Sequence, residues 1–188
     1  DEGRDVVALI QAIDEPVFLL GHSHGAHSAL LAAAKVPDRV RKLVLYEPAW
    51  PRVVGKEALA GLEALALARD WEGFAVRFFH DRLSVPMETL DELRATELWP
   101  PILADAEASL GDLRALSRHN FNAERFRELR VPVMLQIGSD SPGGLCVTDA
   151  LAAVLPDVRI QELAGQAHEG MTTAPKMYAE TVSYFLLE

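Results

Sequence analysis

The sequence predicts an α/β fold in which a parallel sheet is flanked by helices and carries an inserted all-helical segment. Two observations support this prediction. Short, continuously apolar runs alternate with helical patterns near both ends of the chain, which is typical of parallel strands covered on both faces. Between them lies a long stretch with helical patterns and no convincing strand. We therefore divide the 188-residue chain into a first core segment (1–54), a helical cap insertion (55–130) and a second core segment (131–188).

The first core segment contains two predicted strands. Apolar residues at helical spacing predict a helix over residues 5–13, which ends before Pro16. Residues 17–20 are continuously apolar and predict a strand, and a helix rich in small residues is predicted over 26–35. A second strand is predicted over 42–46. This order of elements, with short connections, is typical of a βαβ unit.

The second core segment contains two further predicted strands. They span residues 131–137 and 158–163, and a helix over 148–155 separates them. A terminal helix is predicted over 174–187. The insertion is divided into short helices by three prolines, Pro86, Pro100 and Pro101.

The composition excludes several classes of function. Asp and Glu outnumber Lys and Arg by 28 to 18, and the formal net charge of −10 argues against binding to nucleic acid. No apolar run approaches the about 18 residues that a membrane span needs. The single Cys146 cannot form an intrachain disulfide, and no Cys/His spacing resembles a zinc site. His22, His24 and His27 surround a sharp turn without a neighbouring carboxylate or cysteine, so no metal is predicted.

The motif that carries chemistry is Gly21-His22-Ser23-His24-Gly25, which fits G-x-S-x-G. It lies between a predicted strand and a predicted helix, the setting in which the serine occupies a strained turn that exposes its hydroxyl. The two glycines are expected to allow close approach of strand and helix. Because a helix N-terminus stabilises developing negative charge, we predict Ser23 as a nucleophile and the backbone N–H of His24 as an oxyanion donor. The alternative is a turn whose serine only caps the helix.

A serine hydroxyl is a poor nucleophile until a base removes its proton, so a histidine is required. The chain has six histidines. His22 and His24 flank Ser23 in a tight turn, from which their rings cannot easily reach its hydroxyl. His168 lies in a glycine-rich loop between a predicted strand and the last helix, whereas the remaining histidines fall on predicted helices. We therefore predict His168 as the base.

These segments resemble the α/β-hydrolase superfamily, in particular its cofactor-free serine hydrolases with a helical cap, over nearly all of the chain. The resemblance rests on the G-x-S-x-G turn, on residues 41–48, on the strand ending Ile137-Gly138-Ser139-Asp140 and on Ala164-Gly165-Gln166-Ala167-His168. It implies an α/β-hydrolase-type sheet, no cofactor, and catalytic residues in the chain order nucleophile, acid, histidine. Ser23, Asp140 and His168 match that order.

The acid has two candidates. Relatives more often have it three residues after the glycine that ends this strand, where this sequence has Ser141. Asp140 comes one residue earlier, and a turn there could still direct its carboxylate at His168, so Asp140 is the predicted acid. Glu47, at the end of the second predicted strand, is the alternative, because some relatives place the acid there.

The resemblance implies hydrolysis of a carboxylic ester through an acyl-enzyme with a Ser-His-Asp triad, and the expected partner is a small apolar ester. Trp71, Phe74, Phe78 and Trp99 either line an apolar acyl pocket or form the core of the insertion. The alternative functions are a ligand-binding or sensor protein with a hydrolase fold, and an inactive fragment of a hydrolase.

The first residue is Asp1, and relatives have further strands before the first helix, so we expect an N-terminally truncated chain. One of the missing loops would supply the second oxyanion donor, and its loss typically costs about 10²–10³ in rate. The strand at residues 17–20 would then present an open apolar edge, which favours self-association. A cytoplasmic location is the default expectation.

Overall fold

The computed structural model describes residues 2–50 and 54–188. The chain divides into two compact units, one formed by Asp1–Trp50 together with Asn122–Glu188, the other by Pro51–Phe121. The first unit contains the sheet, and the second is built from helices. Across the described residues, no helix combines the length and the apolar character needed to cross a membrane.

The sheet of the first unit has four strands. They are β1 (Val17–His22), β2 (Val40–Tyr46), β3 (Val133–Gly138) and β4 (Val158–Leu163). Their spatial order is β1-β2-β3-β4, and each neighbouring pair is parallel. The predicted α/β fold with a parallel sheet is therefore confirmed. β1 continues beyond the predicted run into the G-x-S-x-G motif, and it ends at His22.

Helices connect and cover the strands. In the part of the chain that the structure describes, the α-helices are α1 (Glu2–Ala12), α2 (Ser23–Lys35), α3 (Lys56–Leu67), α4 (Trp71–Arg77), α5 (Met87–Arg94), α6 (Trp99–Ala104), α7 (Ala106–Arg118), α8 (Thr148–Ala152), α9 (Gly170–Thr173) and α10 (Pro175–Leu187). Short 3-10 helices span Pro37–Arg39 and Ala123–Phe126, and a π-helix spans Phe78–Arg82. α2 begins at Ser23, earlier than predicted, because the motif itself forms its first turn.

The core of the first unit is centred on the two middle strands. β2 is buried from Leu43 to Tyr46, and most of β3 is buried as well, which explains their continuously apolar sequences. On one face of the sheet, Val182 and Phe185 of α10 pack against β2 and β3. The carboxyl ends of all four strands meet at the same edge, because the strands are parallel.

β1 is an outer strand of the described sheet. Its burial alternates along the strand, and Phe18 and Leu20 remain 40% and 42% exposed. Predicted self-association through this edge stays a prediction.

The second unit has a hydrophobic core of its own. Phe74 is buried with Leu62, Leu110 and Leu113, and Trp71 and Phe78 pack against this cluster. The unit ends at Phe121, whereas the sequence predicts the end of the insertion at Arg130. Residues 122–130 lie in the first unit, because the 3-10 helix Ala123–Phe126 contacts α8 and Phe126 and Leu129 are buried.

The two motif glycines differ in their surroundings. A Cβ at Gly21 would lie 2.7 Å from the Cα of Ala26, whereas a Cβ at Gly25 would meet nothing within 4 Å. The close approach of strand and helix therefore explains why position 21 needs a glycine, but it does not explain the glycine at position 25.

This difference makes a stability prediction. We expect Gly21→Ala to lower the free energy of unfolding by about 2–3 kcal/mol, because strand and helix must separate to admit the methyl group. Gly25→Ala is the matched control; it places a better helix former in the first turn of α2 and should leave stability unchanged or raise it by up to about 1 kcal/mol. Urea unfolding followed by circular dichroism measures both, and equal losses would contradict the prediction.

Candidate active site

Ser23 occupies a strained turn between β1 and α2. It is the first residue of α2, directly after the last residue of β1, and its φ is 53°. A positive φ is unfavourable for a residue with a side chain and costs on the order of 1–3 kcal/mol. Such strain persists where the surrounding structure enforces it, often at functional sites. The turn matches the setting that the sequence predicts for a nucleophile.

The N-terminus of α2 provides a partial positive charge beside Ser23. The helix has 13 residues, and His24 is its second residue. Amides of the first turn point out of the N-terminal end of a helix, where the helix dipole is positive. The backbone N–H of His24 is thus in the first turn, as the predicted role of oxyanion donor requires.

Glu47 is a buried carboxylate with a complete set of hydrogen bonds. It directly follows β2, it is 0% exposed, and its φ is 42°. Oε1 accepts hydrogen bonds from the backbone N–H of Gly138 (2.8 Å) and from the hydroxyl of Ser141. Oε2 lies 2.7 Å from Nδ1 of His168. Gly138 and Ser141 therefore hold Oε1 in place, and Oε2 is available to His168.

The hydrogen bonds keep Glu47 ionised. Burial alone would raise its pKa, but the hydrogen bonds from His168, Ser141 and the Gly138 N–H outweigh burial and lower the pKa below its usual value. A buried carboxylate beside Nδ1 holds the imidazole with a proton on that nitrogen and stabilises the imidazolium.

Asp140 has different surroundings from those that the sequence predicts. Its side chain is exposed, and its carboxylate accepts a hydrogen bond from the hydroxyl of Ser139 (2.8 Å). Its backbone N–H donates to the carbonyl of Gln166 (2.9 Å). Among the described residues, no hydrogen bond joins Asp140 to His168. The structure therefore pairs the histidine with Glu47, the alternative acid, and not with Asp140.

The loop that carries His168 rests on the ends of β1 and β2. Nε2 of His22 lies 2.9 Å from the carbonyl oxygen of His168, and the centroids of the two imidazole rings are 4.5 Å apart. The hydroxyl of Tyr46 donates to the carbonyl of Ala167 and accepts the N–H of Gly170 (3.1 Å). These contacts place the chain neighbour of Ser23 against the predicted base.

Burial changes the acid–base properties of both supporting side chains. Burial, followed by the charge of His168, lowers the pKa of His22 from 6.5 to about 4. Burial, followed by the charge of Glu47, raises the pKa of Tyr46 to about 12. At neutral pH both side chains are therefore uncharged.

The low pKa of His22 predicts how stability depends on pH. Between pH 6.5 and about 4, His22 of the unfolded chain takes up a proton while His22 of the folded chain stays neutral. The unfolded state then binds more protons, so the free energy of unfolding falls as pH falls through this window, by about 2–3 kcal/mol at its lower end. The lowered pKa of Glu47 adds a further loss below pH 4.5.

Urea unfolding at pH 7, 5.5 and 4.5 measures this dependence, with His22→Gln as the variant that lacks the titrating ring. The variant should lose less stability than the wild type between pH 7 and 4.5. Identical losses in the two proteins would contradict this origin of the pH dependence.

Sequence reasoning missed three contributors to the site: His22 as a support, Tyr46 and Ser141. Each acts through a partner more than 90 residues away in the chain, as in the Ser141 hydrogen bond to Glu47. A single sequence contains no local signal for such pairs. These residues meet because the register of the parallel sheet places the carboxyl ends of the strands side by side.

One set of side chains in this site could hold a metal ion. Ligand atoms of His22, His168 and Glu169 all lie within 4.8 Å of one another. Only His22 is shared with the three histidines around the sharp turn (His22, His24 and His27), for which the sequence predicts no metal. Because Nδ1 of His168 is bound to Glu47, a metal would have to use Nε2. That nitrogen is the one a general base needs, so metal binding there would compete with base catalysis.

The predicted substrate-binding aromatics lie in the second unit. Phe74 belongs to its hydrophobic core, and Trp71 and Phe78 pack against that core. Trp99 is buried, and its indole N–H donates to Glu72 (2.7 Å). Packing within the unit accounts for these contacts, and a role in substrate binding stays a prediction.

Comparisons with known proteins agree with this architecture. A model of the alpha/beta hydrolase family matches residues 1–181. A relative from Mesorhizobium japonicum, 2-(acetamidomethylene)succinate hydrolase, is 26% identical over 201 residues, which cover 99% of this chain and 70% of the relative.

Solved structures give the same result. An alpha/beta hydrolase from Sphaerobacter thermophilus superimposes with a TM-score of 0.79 at 25% identity, over 98% of this chain and 72% of the other. A thermophilic esterase superimposes with a TM-score of 0.74 at 18% identity, over 98% of this chain and 71% of the other, and this second likeness shows the fold alone.

Proposed function

Because this chain belongs to the alpha/beta hydrolase family, we propose that it is a serine hydrolase that cleaves carboxylic esters through an acyl-enzyme. The observation that carries the proposal is the 2.7 Å contact between Nδ1 of His168 and the buried carboxylate of Glu47. The ring of His168 also packs against the ring of His22, the residue before Ser23 in the chain, with the ring centroids 4.5 Å apart. The proposed triad is therefore Ser23, Glu47 and His168.

Acylation requires each of these groups in turn. Oγ of Ser23 attacks the ester carbonyl while Nε2 of His168 takes its proton. The carbonyl oxygen becomes negatively charged, and the backbone N–H of His24 stabilises it at the positive end of α2. When the tetrahedral intermediate collapses, the C–O bond to the leaving group breaks and His168 returns the proton to the departing alcohol. Ser23 is left as an ester of the acyl group.

Deacylation repeats these steps with water. His168 removes a proton from the water, the resulting hydroxide attacks the acyl-enzyme carbonyl, and the second tetrahedral intermediate releases the carboxylic acid. Ser23 regains its proton from His168. Glu47 remains ionised throughout, because its lowered pKa keeps the proton on the imidazole.

Esters are the proposed substrates because alcohols leave with less assistance than amines do. The acyl and alcohol parts are best defined with p-nitrophenyl esters of increasing acyl length, followed by alkyl esters of the preferred acid. 2-(Acetamidomethylene)succinate belongs in the same panel, because the relative from Mesorhizobium japonicum is named for its hydrolysis.

The test combines turnover with labelling of the nucleophile. We expect many p-nitrophenolate molecules per protein, and a fluorophosphonate should add to the peptide that contains Ser23. A single burst without further turnover would instead support the ligand-binding or sensor alternative. Labelling at a different residue, or neither labelling nor turnover, would overturn the proposed function.

A further inference from the structure

We propose that His22 and Tyr46 are positioning residues, which fix the main chain on both sides of His168 and so aim its ring at Ser23. This inference rests on the proposed function. His22 is the last residue of β1 and Tyr46 the last of β2, and the two are partners in the parallel register. Register partners present their side chains on the same face of a sheet. Their ring centroids are 5.4 Å apart, so the strand ends form one support for the histidine loop.

The support holds two successive peptide units. The Tyr46 hydroxyl donates to the carbonyl of Ala167, which belongs to the peptide unit before the His168 Cα. Nε2 of His22 lies 2.9 Å from the carbonyl of His168, which belongs to the unit after it. With both peptide planes held, φ and ψ of His168 are fixed, and only its side-chain torsions remain.

Glu47 fixes those remaining torsions. Its Oε2 lies 2.7 Å from Nδ1 of His168, and this contact restrains the orientation of the ring. Removing Glu47 would therefore release the ring, whereas removing His22 or Tyr46 would release the backbone that carries it. Glu47 thus acts directly on the imidazole, whereas His22 and Tyr46 act on the main chain that carries it.

To donate to the carbonyl of His168, His22 must carry a proton on Nε2. The charged or titratable groups around it are His168, Glu47, Tyr46 and Glu169. Burial and His168 lower the pKa of His22 to about 4, so the neutral form predominates at working pH. Because its Nε2 is engaged with the carbonyl, His22 is a support and not a second base.

The test uses variants that remove a hydrogen bond and keep the ring. His22→Phe and Tyr46→Phe each delete one anchor, and His22→Gln is the control, because its amide N–H can donate to the same carbonyl. Tyr46→Phe also leaves the Ser23 turn unchanged in sequence. A displacement of about 1 Å in a catalytic group can cost on the order of 10² in rate.

The readout is the leaving group. An alkoxide needs the proton that His168 returns, whereas p-nitrophenolate leaves without it, so a misplaced imidazole penalises alkyl esters more. For both Phe variants we expect kcat on an ethyl ester to fall about 10–100-fold, a smaller fall on the p-nitrophenyl ester of the same acid, and little change in KM. His22→Gln should recover most of the lost activity. Equal losses on both esters, or none in either Phe variant, would overturn the proposal.

A second measurement does not depend on turnover. The proton shared by Nδ1 of His168 and Glu47 should give a far-downfield NMR signal in the wild type and in His22→Gln. In His22→Phe and Tyr46→Phe, this signal should shift or broaden while the unfolding midpoint shows that the chain remains folded. An unchanged signal in both Phe variants would contradict the positioning role. Absence of wild-type turnover would count against the proposed function alone.

Discussion

Replacement of Glu47 by Gln is expected to lower kcat for ester hydrolysis by about 10³–10⁴-fold. The amide removes the negative charge that stabilises the imidazolium. Its NH₂ group can also donate to Nδ1 of His168, which moves the ring proton to Nε2, where it blocks proton transfer from Ser23. Steady-state kinetics with p-nitrophenyl esters measures the loss, and urea unfolding shows how much of it comes from stability.

Asp140→Asn is the matched control for this experiment. Asp140 is exposed and accepts a hydrogen bond from Ser139, so its amide variant should retain kcat within about threefold of the wild type. The two candidates for the acid thus differ by at least two orders of magnitude in expected effect. A large loss in Asp140→Asn together with a small loss in Glu47→Gln would return the role of acid to Asp140.

The choice between these two carboxylates shows where sequence reasoning stops. Both follow predicted strands, and the sequence favours Asp140 because it lies near the usual position for the acid in relatives. The structure gives Glu47 what a buried carboxylate needs: donors from Gly138 and Ser141, and His168 as a partner. Those donors come from the end of β3, and only the pairing of β2 with β3 brings them within reach.

Backbone strain gives an independent indication that favours Glu47. Its φ is 42° and that of Ser23 is 53°, so both proposed triad members at strand ends adopt a conformation that is unfavourable for residues with side chains. No local sequence pattern predicts this for Glu47, whereas the glycines around Ser23 do predict a sharp turn. The strain at Glu47 is therefore visible only in the folded chain.

The strands of the parallel sheet can be predicted from the sequence, because buried parallel strands are continuously apolar. β4 and α10 agree closely with their predicted ranges. The helical pattern of residues 122–130 predicts an insertion that extends to Arg130, whereas in the structure these residues belong to the first unit, with Phe126 buried. Local periodicity identifies a helix, and it does not tell which core the helix covers.

Ser23→Ala is expected to have the largest effect of any single change, a fall in kcat of about 10⁵–10⁶-fold, because no other group can form the acyl-enzyme. The variant should remain folded, since the Ala side chain differs from Ser only by the hydroxyl. Ser117→Ala is the control: its hydroxyl bonds to the carbonyl of Arg114 within α7, and its loss should leave kcat unchanged. Fluorophosphonate labelling should disappear in Ser23→Ala and persist in Ser117→Ala.

The double variant Ser23→Ala/Glu47→Gln tests whether Ser23 and Glu47 act as one catalytic unit. In the proposed mechanism Glu47 acts only through His168 on the proton of Ser23, so it has nothing to assist once the hydroxyl is gone. The double variant should therefore be no slower than Ser23→Ala alone, a non-additivity typical of residues that work as a unit. If the two losses multiplied instead, Glu47 would contribute to the reaction independently of Ser23. The 2.7 Å contact between Nδ1 of His168 and Oε2 of Glu47 would then serve a purpose other than a serine triad.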